Sequence, residues 1–215
     1  PLAAAMASVG GLRAAGDSLS PEDRRDLLAT ADESLGTLSV LVTDLLDVSR
    51  VEAGVLGVSL QPVDAAGVVL AAIDELGAGP EQVELALDQD LPAVRADAVL
   101  LQRVLVNVVA NAVRYTPPDR RVRISTSRLG GIAEIRVIDH GTGIAPGRVE
   151  GMFAPFQRLG DTDNTTGLGL GLALSRGFMQ GMGGTLTPED TPGGGLTMVM
   201  ALPVASADVH AEATP

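Results

Sequence analysis

The sequence predicts an α+β chain in two parts, an antiparallel helical hairpin followed by a domain of mixed helices and strands. From Leu28 the apolar residues fall at Leu28, Ala31, Leu35, Leu38, Val42 and Leu45. That 3-4-3-4 spacing is the seam of a coiled coil or helical bundle. Beyond Gly54 and Gly57 the pattern changes to short alternating segments interleaved with helical ones, as in a layered domain. The composition agrees, since 46% hydrophobic and 20% charged residues describe a globular chain. Aromatics are only 2%, so the core is expected to be built from Leu, Val, Ile and Ala.

A first helix is predicted over residues 1–16, with a stop at "AAGDSLSP". A second opens with Ser20 as N-cap, Pro21 at the first helical position and Asp23 at the capping-box position. A hairpin with such a stripe cannot bury both its faces alone, so a homodimeric four-helix bundle is expected. The competing arrangement folds the hairpin onto its own downstream domain. The expected division is 1–54 for the hairpin, 55–204 for the second domain and 205–215 for a flexible tail, with fraying after Pro203.

Within the second domain, "VLGVSLQPVD" reads as a strand, 65–77 as a short helix and "QVELALD" as an alternating strand. Residues 98–115 are rich in Val, which favours strand, but eighteen residues exceed an ordinary strand. Asp97 is placed to cap a helix and "TPP" at 116–118 to stop it, so a helix is predicted. "VRISTSR" and "IAEIRVID" read as strands joined across Gly130 and Gly131, and "GTLTPEDTPGGGLTMVMALP" as a final hairpin.

Charge and composition exclude several functions. A net charge of −12 argues against electrostatic binding to nucleic acid or anionic membrane. No run of 18 apolar residues occurs, so no spanning segment is expected. "PLAAAMASVG" lacks a cationic leader, so no signal peptide is expected either. There is no cysteine, hence no disulfide, thiolate nucleophile or cysteine-ligated zinc. All fifteen basic residues are arginine, which excludes a Walker-type phosphate loop with its Gly-Lys pair. The chain starts at Pro1 and is read as a fragment.

Three groups of residues point to a ligand site. Asn107 and Asn111 lie four apart on one helix face, with Arg114 and Tyr115 a turn later. Their amides either satisfy nearby backbone or face a hydrated cation carrying phosphates. Asp139 ends an apolar strand and precedes Gly141 and Gly143. This is either an ordinary turn or a carboxylate for an exocyclic amine beside backbone that approaches a planar ligand closely. Gly167, Gly169 and Gly171 alternate ahead of an apolar helix, a helix entry suited to phosphate. The dinucleotide fingerprint is not met, because its third glycine would fall on Leu172 or Leu174. Gly193, Gly194 and Gly195 form a further cluster. His140, the interior histidine, is read as a bystander at the rim.

The order Asn-x3-Asn, Asp-x-Gly-x-Gly, Phe153-x2-Phe156, Gly-x-Gly-x-Gly, Gly-Gly-Gly resembles the sensor histidine kinases of two-component systems. Their ATP-binding domains share a superfamily with gyrase, Hsp90 and MutL. "NVVANAVRYTP", "DHGTG", "FAPF", "GLGLGL" and "GGGLT" look like that family's N, G1, F, G2 and last glycine boxes, and the likeness spans roughly residues 1–203. "PFQRLGDTDNTTGLGLGLALSRG" looks closer still to the potassium-responsive, Kdp-type branch. The resemblance implies an α/β sandwich ATP domain behind the dimerisation hairpin, with ATP and Mg²⁺ as cofactors. It assigns Mg²⁺ to Asn111 and the phosphate side to Asn107 and Arg114. Tyr115 would border the nucleotide, Asp139 would bind adenine N6, and Gly141 and Gly143 would shape that pocket. Residues 157–167 resemble the ATP lid, where Arg158 would reach the phosphates. Gly167, Gly169 and Gly171, with the intervening Leu168 and Leu170, would cradle the triphosphate.

One departure qualifies the match. The family's acceptor histidine lies on the first helix of the hairpin, and neither His140 nor His210 is there. The expected function is the cytoplasmic catalytic part of a membrane-anchored sensor kinase. It would phosphorylate a histidine absent from this chain and, through it, a response-regulator aspartate, controlling potassium uptake. The anchor would lie in other parts of the protein. The alternative is a dimeric nucleotide-binding module without kinase activity. A serine kinase of the anti-sigma type would not need the hairpin. A gyrase- or MutL-type ATPase would need a transducer domain after the ATP fold.

Overall fold

The computed structural model describes residues 1–145, 147–157 and 169–205. Two compact units are present, Pro1–Ser49 and Arg50–Pro215.

The first unit is helical: α1 is Leu2–Ala15 and α2 is Pro21–Glu52, the last turn of which belongs to the second unit. A short 3-10 turn, Gly16–Ser18, joins them. The predicted capping box forms: Ser20 Oγ accepts from the Asp23 N–H at 3.0 Å and donates to the Asp23 carboxylate at 2.7 Å, satisfying an otherwise orphaned donor. Arg24 reaches back to the Gly16 carbonyl at 3.2 Å, tying the turn to α2. Gly11 of α1 faces Leu27 of α2, where a Cβ would stand 3.6 Å from Cδ1, so the helices return on one another. Ala5 and Ala31 are buried. Leu28, Leu35, Val42 and Leu45 of the predicted seam are about half exposed, as are Leu2, Met6 and Val9 on α1.

The second unit holds β1 (Gln61–Val63), α3 (Ala65–Leu76), β2 (Val83–Ala86), β3 (Val94–Ala96), α4 (Ala98–Tyr115), β4 (Val122–Leu129), β5 (Ile132–Ile138), α5 (Gly171–Gly181), β6 (Thr185–Asp190) and β7 (Leu196–Pro203). A mixed five-stranded sheet runs β2-β4-β5-β7-β6, with β2 and β4 parallel and the other pairs antiparallel. Register places Ile124, Val137 and Met198 side by side on one face, with Thr126, Ile135 and Met200 in the next row, all of them buried. α4 and α5 pack on this face. The opposite face carries Arg136, bonded to Glu134 and Glu189. Along β5 buried and partly exposed positions alternate, as the sequence displayed.

α4 shows how packing overrides propensity. Its six valines cost at most about 0.7 kcal/mol apiece against alanine in a helix. It buries Leu100, Leu101, Val104, Leu105, Val108, Val109 and Ala112, and each large apolar side chain contributes roughly 1.5–3 kcal/mol. Burial exceeds the propensity deficit severalfold. Asp97 fixes the start, its Oδ1 accepting from Val99 and Leu100 N–H at 3.1 and 3.2 Å while Oδ2 accepts from Ser59 N–H at 2.9 Å.

Two expectations change. The strand anticipated over "VLGVSLQPVD" forms only at Gln61–Val63, and its partner is β3, which the sequence reading did not contain. The chain does not fray directly after Pro203. Val204 bridges to Val94, and the Ala205 N–H donates to the Ala93 carbonyl at 2.8 Å. Residues 206–215, including His210, lie outside the described residues.

Candidate functional site

α4, the C-terminal end of β5, the loop that follows it and the start of α5 converge on a cavity of about 280 Å³. This is close to the lower end of the 300–1,000 Å³ typical of small-molecule sites. Its wall includes Asn107, Asn111, Arg114 and Tyr115 from α4, and Asp139 and Gly143 beyond β5. Gly169 and Gly171 close it from the α5 side. Residues more than sixty positions apart in the sequence therefore share one concavity.

Asp139 is 7% exposed, and the fold holds it from two directions. Its Oδ1 accepts from the Gly141 and Leu196 N–H groups, each at 2.9 Å. Its own N–H donates to the Leu196 carbonyl at 2.9 Å, so β7 extends the ladder past the end of β5. Oδ2 has no partner among the described residues and is the oxygen available to a donor in the cavity. A carboxylate with one oxygen anchored and one free is a fixed acceptor for an amine edge.

Two glycines permit this arrangement. At Gly141 a Cβ would lie 2.6 Å from the Tyr115 carbonyl oxygen, so only glycine lets the loop cross the end of α4 this closely. Gly195 adopts φ +117°, and a Cβ there would run into the Asp139 carbonyl. The cluster at 193–195, which alone reads as a hairpin turn, thus seats β7 against the residue that faces the cavity. The His140 N–H donates to Thr116 Oγ1 at 3.4 Å. His140 is not a rim residue as expected: it is half-buried, its Nδ1 is buried without a partner among the described residues, and it does not line the cavity.

The two asparagines differ. Asn107 Nδ2 donates to Ser175 Oγ on α5 at 2.9 Å, so its partner is a side chain rather than backbone. Asn111 lines the cavity and makes no hydrogen bond among the described residues. The Arg114 guanidinium stands 5.6 Å from the centroid of the Tyr115 ring, within cation–π range. At the start of α5 the first intrahelical bond is Leu174 N–H to the Leu170 carbonyl, which leaves the N–H groups of residues 171–173 unbonded within the helix. Gly171 and Leu172 line the cavity there, so the positive end of the helix dipole faces it.

Leu170 does not reach the cavity; its side chain is 2% exposed and packed in the core. Arg158, Gly167 and Leu168 lie outside the described residues. Of the two phenylalanines in "FAPF", Phe153 is buried beneath the Arg176 guanidinium, 4.7 Å from the ring centroid, while Phe156 is 60% exposed. The sequence reading missed Ile144 and Arg148, both lining the cavity, and Ser175; Gln157, the first residue of the expected lid, also lines it. Arg148 carried no positional signal. Ser175 had one, lying one helical turn after Gly171.

The donor set fits a nucleotide and its cation. Asn111 offers one amide oxygen, the start of α5 offers N–H groups for phosphate, and Asp139 offers an acceptor for a base amine. Among the described residues no three His, Cys, Asp or Glu side chains gather to hold a metal. A cation here would draw its remaining ligands from phosphate and water, as Mg²⁺ commonly does. Among the described residues no helix is long and apolar enough to cross a membrane.

Comparison with known proteins fits this geometry. The family described as histidine kinase-, DNA gyrase B- and HSP90-like ATPase matches residues 96–206. The chain is 64% identical over 176 residues to the sensor protein KdpD of Rathayibacter rathayi, covering 82% of this chain and 20% of that protein. It is 45% identical over 208 residues to the sensor protein KdpD of Mycobacterium tuberculosis, covering 94% of this chain and 24% of that protein. The chain thus spans about a quarter or less of the length of these two curated relatives. Among solved structures, full-length ShkA in complex with AMPPNP superimposes with a TM-score of 0.72 at 28% identity, covering 90% of this chain and 42% of that one. The Acinetobacter baumannii histidine kinase AdeS has the same fold, with a TM-score of 0.70 at 23% identity over 96% of each chain.

Proposed function

Because the chain belongs to the histidine kinase-, DNA gyrase B- and HSP90-like ATPase family, we propose that its cavity binds MgATP for phosphoryl transfer to a histidine, as the catalytic part of a two-component sensor kinase. The observation that carries this is Asp139, with Oδ1 anchored by two backbone N–H groups and Oδ2 without a partner among the described residues, in the wall of a cavity that also receives Asn111 and the start of α5. A base amine would meet Oδ2, while the triphosphate would extend toward the α5 N–H groups. Asn111 would give Mg²⁺ its protein oxygen, and Arg114 would add positive charge on the phosphate side. When bound, the cation would neutralise charge developing on the transferred phosphoryl group. The protein's share is orientation and electrostatics, as is general for this chemistry.

The acceptor imidazole would not be His140, which is half-buried and outside the cavity lining. The acceptor histidine would lie elsewhere in the whole kinase, and phosphate would pass from it to a response-regulator aspartate. The exposed stripes Leu2, Met6, Val9 and Leu28, Leu35, Val42 favour a homodimer through the helices of the first unit, because unpaired apolar stripes at these spacings are buried by bundle formation. The Kdp-type resemblance extends the reading to the control of potassium uptake. Membrane attachment would lie in other parts of the kinase.

The test is titration of the 215-residue chain with a fluorescent ATP analogue in Mg²⁺, displaced by unlabelled ATP. Micromolar to millimolar affinity is expected, and no displaceable binding would overturn the reading. The transfer step is tested in the whole kinase containing this segment, by acid-labile labelling from γ-labelled ATP. Intact ATP binding without label would indicate a nucleotide-responsive module instead.

A further inference from the structure

α5 buries Leu174, Ser175, Gly177, Phe178 and Met179. Only Ser175 among them has a polar side chain. At 2% exposure, its hydroxyl needs a partner, which is Asn107 Nδ2 at 2.9 Å. One turn earlier on α5, Gly171 leaves a gap, and the Asn107 amide oxygen occupies the space a Cβ would fill. The amide is therefore held through its nitrogen by Ser175, and its oxygen lies beside the residue where α5 opens into the cavity. The unbonded N–H groups at that helix start favour an oxygen there and disfavour an NH₂ group. That polarity selects this amide orientation over its flip.

We infer that Ser175 is a positioning residue for the nucleotide site: it fixes the Asn107 amide so that the oxygen faces the phosphate end of the cavity. A hydrated cation presents water protons, which require an acceptor, and the oxygen of the Asn107 amide supplies one where its NH₂ group would not. The inference rests on the reading that the cavity takes MgATP. Ser175 touches no ligand itself and acts through Asn107.

The experiment is a double-mutant cycle on the full chain, with Ser175→Ala, Asn107→Ala and the pair. The dissociation constant for a fluorescent ATP analogue in Mg²⁺ and the melting temperature are measured for each. Loss of one hydrogen bond that orients a ligand-facing group corresponds to roughly a three- to tenfold weakening. Ser175→Ala is expected to weaken binding by that factor, and to have no further effect once Asn107 is alanine. Ser175→Cys, a similar size but a poorer acceptor, is expected to fall between serine and alanine, and it carries the test if the alanine variant does not fold. Equal weakening by Ser175→Ala with and without Asn107 would reduce Ser175 to a packing residue and overturn the inference. So would unchanged affinity in Ser175→Ala. Absence of nucleotide binding in the unaltered chain would instead overturn the proposed function.

Discussion

Replacing Asp139 by asparagine separates what this residue does for the fold from what it does for a ligand. Oδ1 accepts from the Gly141 and Leu196 N–H groups at 2.9 Å, and an asparagine carbonyl oxygen can take both bonds. The change falls on the other atom, where an NH₂ donor replaces the free Oδ2. A base amine then meets a donor instead of an acceptor. Hydrogen bonds to charged groups contribute about 1.5–3 kcal/mol, so ATP affinity should fall roughly ten- to hundredfold. Inosine triphosphate, with a carbonyl in place of the amine, should lose much less and become the preferred ligand. Asp139→Ala differs, because it strands two N–H groups at about 1–3 kcal/mol each. At roughly 2–4 °C per kcal/mol for a domain of this size, its melting temperature should drop well below that of Asp139→Asn. Competition titrations with both nucleotides and thermal melts of the three proteins decide the matter. If Asp139→Asn binds ATP as tightly as the unaltered chain, or loses both nucleotides equally, Asp139 does not contact the base.

Other sites give independent checks. Asn111→Ala should weaken MgATP at least about tenfold, as removal of a ligand to a charged centre does, and weaken metal-free nucleotide less; titrations with Mg²⁺ and with EDTA would show equal losses if the amide contacts only the base or sugar. Gly195→Ala forces a Cβ into the Asp139 backbone at φ +117°, so strain of about 1–3 kcal/mol should lower the melting temperature by roughly 2–12 °C. An unchanged melt and unchanged affinity would contradict the packing described. Leu35→Glu with Val42→Glu puts charge on the half-exposed stripe of α2 and should convert a dimer to monomers in sedimentation velocity. A monomeric unaltered chain would refute the bundle.

Local rules made much of the framework readable. The capping box at Ser20 and Asp23, the Asp97 cap and the Gly130–Gly131 turn each act through residues within a few positions of one another. Such interactions are printed in spacing. The three-residue strands at Gln61–Val63 and Val94–Ala96 were not readable in this way. They are too short to display periodicity, and each exists because the other pairs with it. For the same reason the bonds at Val204 and Ala205 depend on residues near 93 and 131, far from the chain end.

At the candidate site the sequence alone determined which residue types and spacings recur: two asparagines on one helix face, an aspartate ahead of paired glycines, and a glycine-rich helix start. It left open whether the amides meet backbone or a cation, and whether Asp139 merely makes a turn. Tertiary structure decided where these side chains are held. It divided the asparagines between Ser175 and the cavity, brought Leu196 N–H to Asp139, and set Gly195 against the same carboxylate's backbone. It also moved His140 off the rim and Leu170 into the core. The reason is one of range. Caps and turns are satisfied by neighbours along the chain, whereas the free valence of a buried amide or carboxylate depends on which distant backbone arrives beside it, and only the packed sheet and helices settle that.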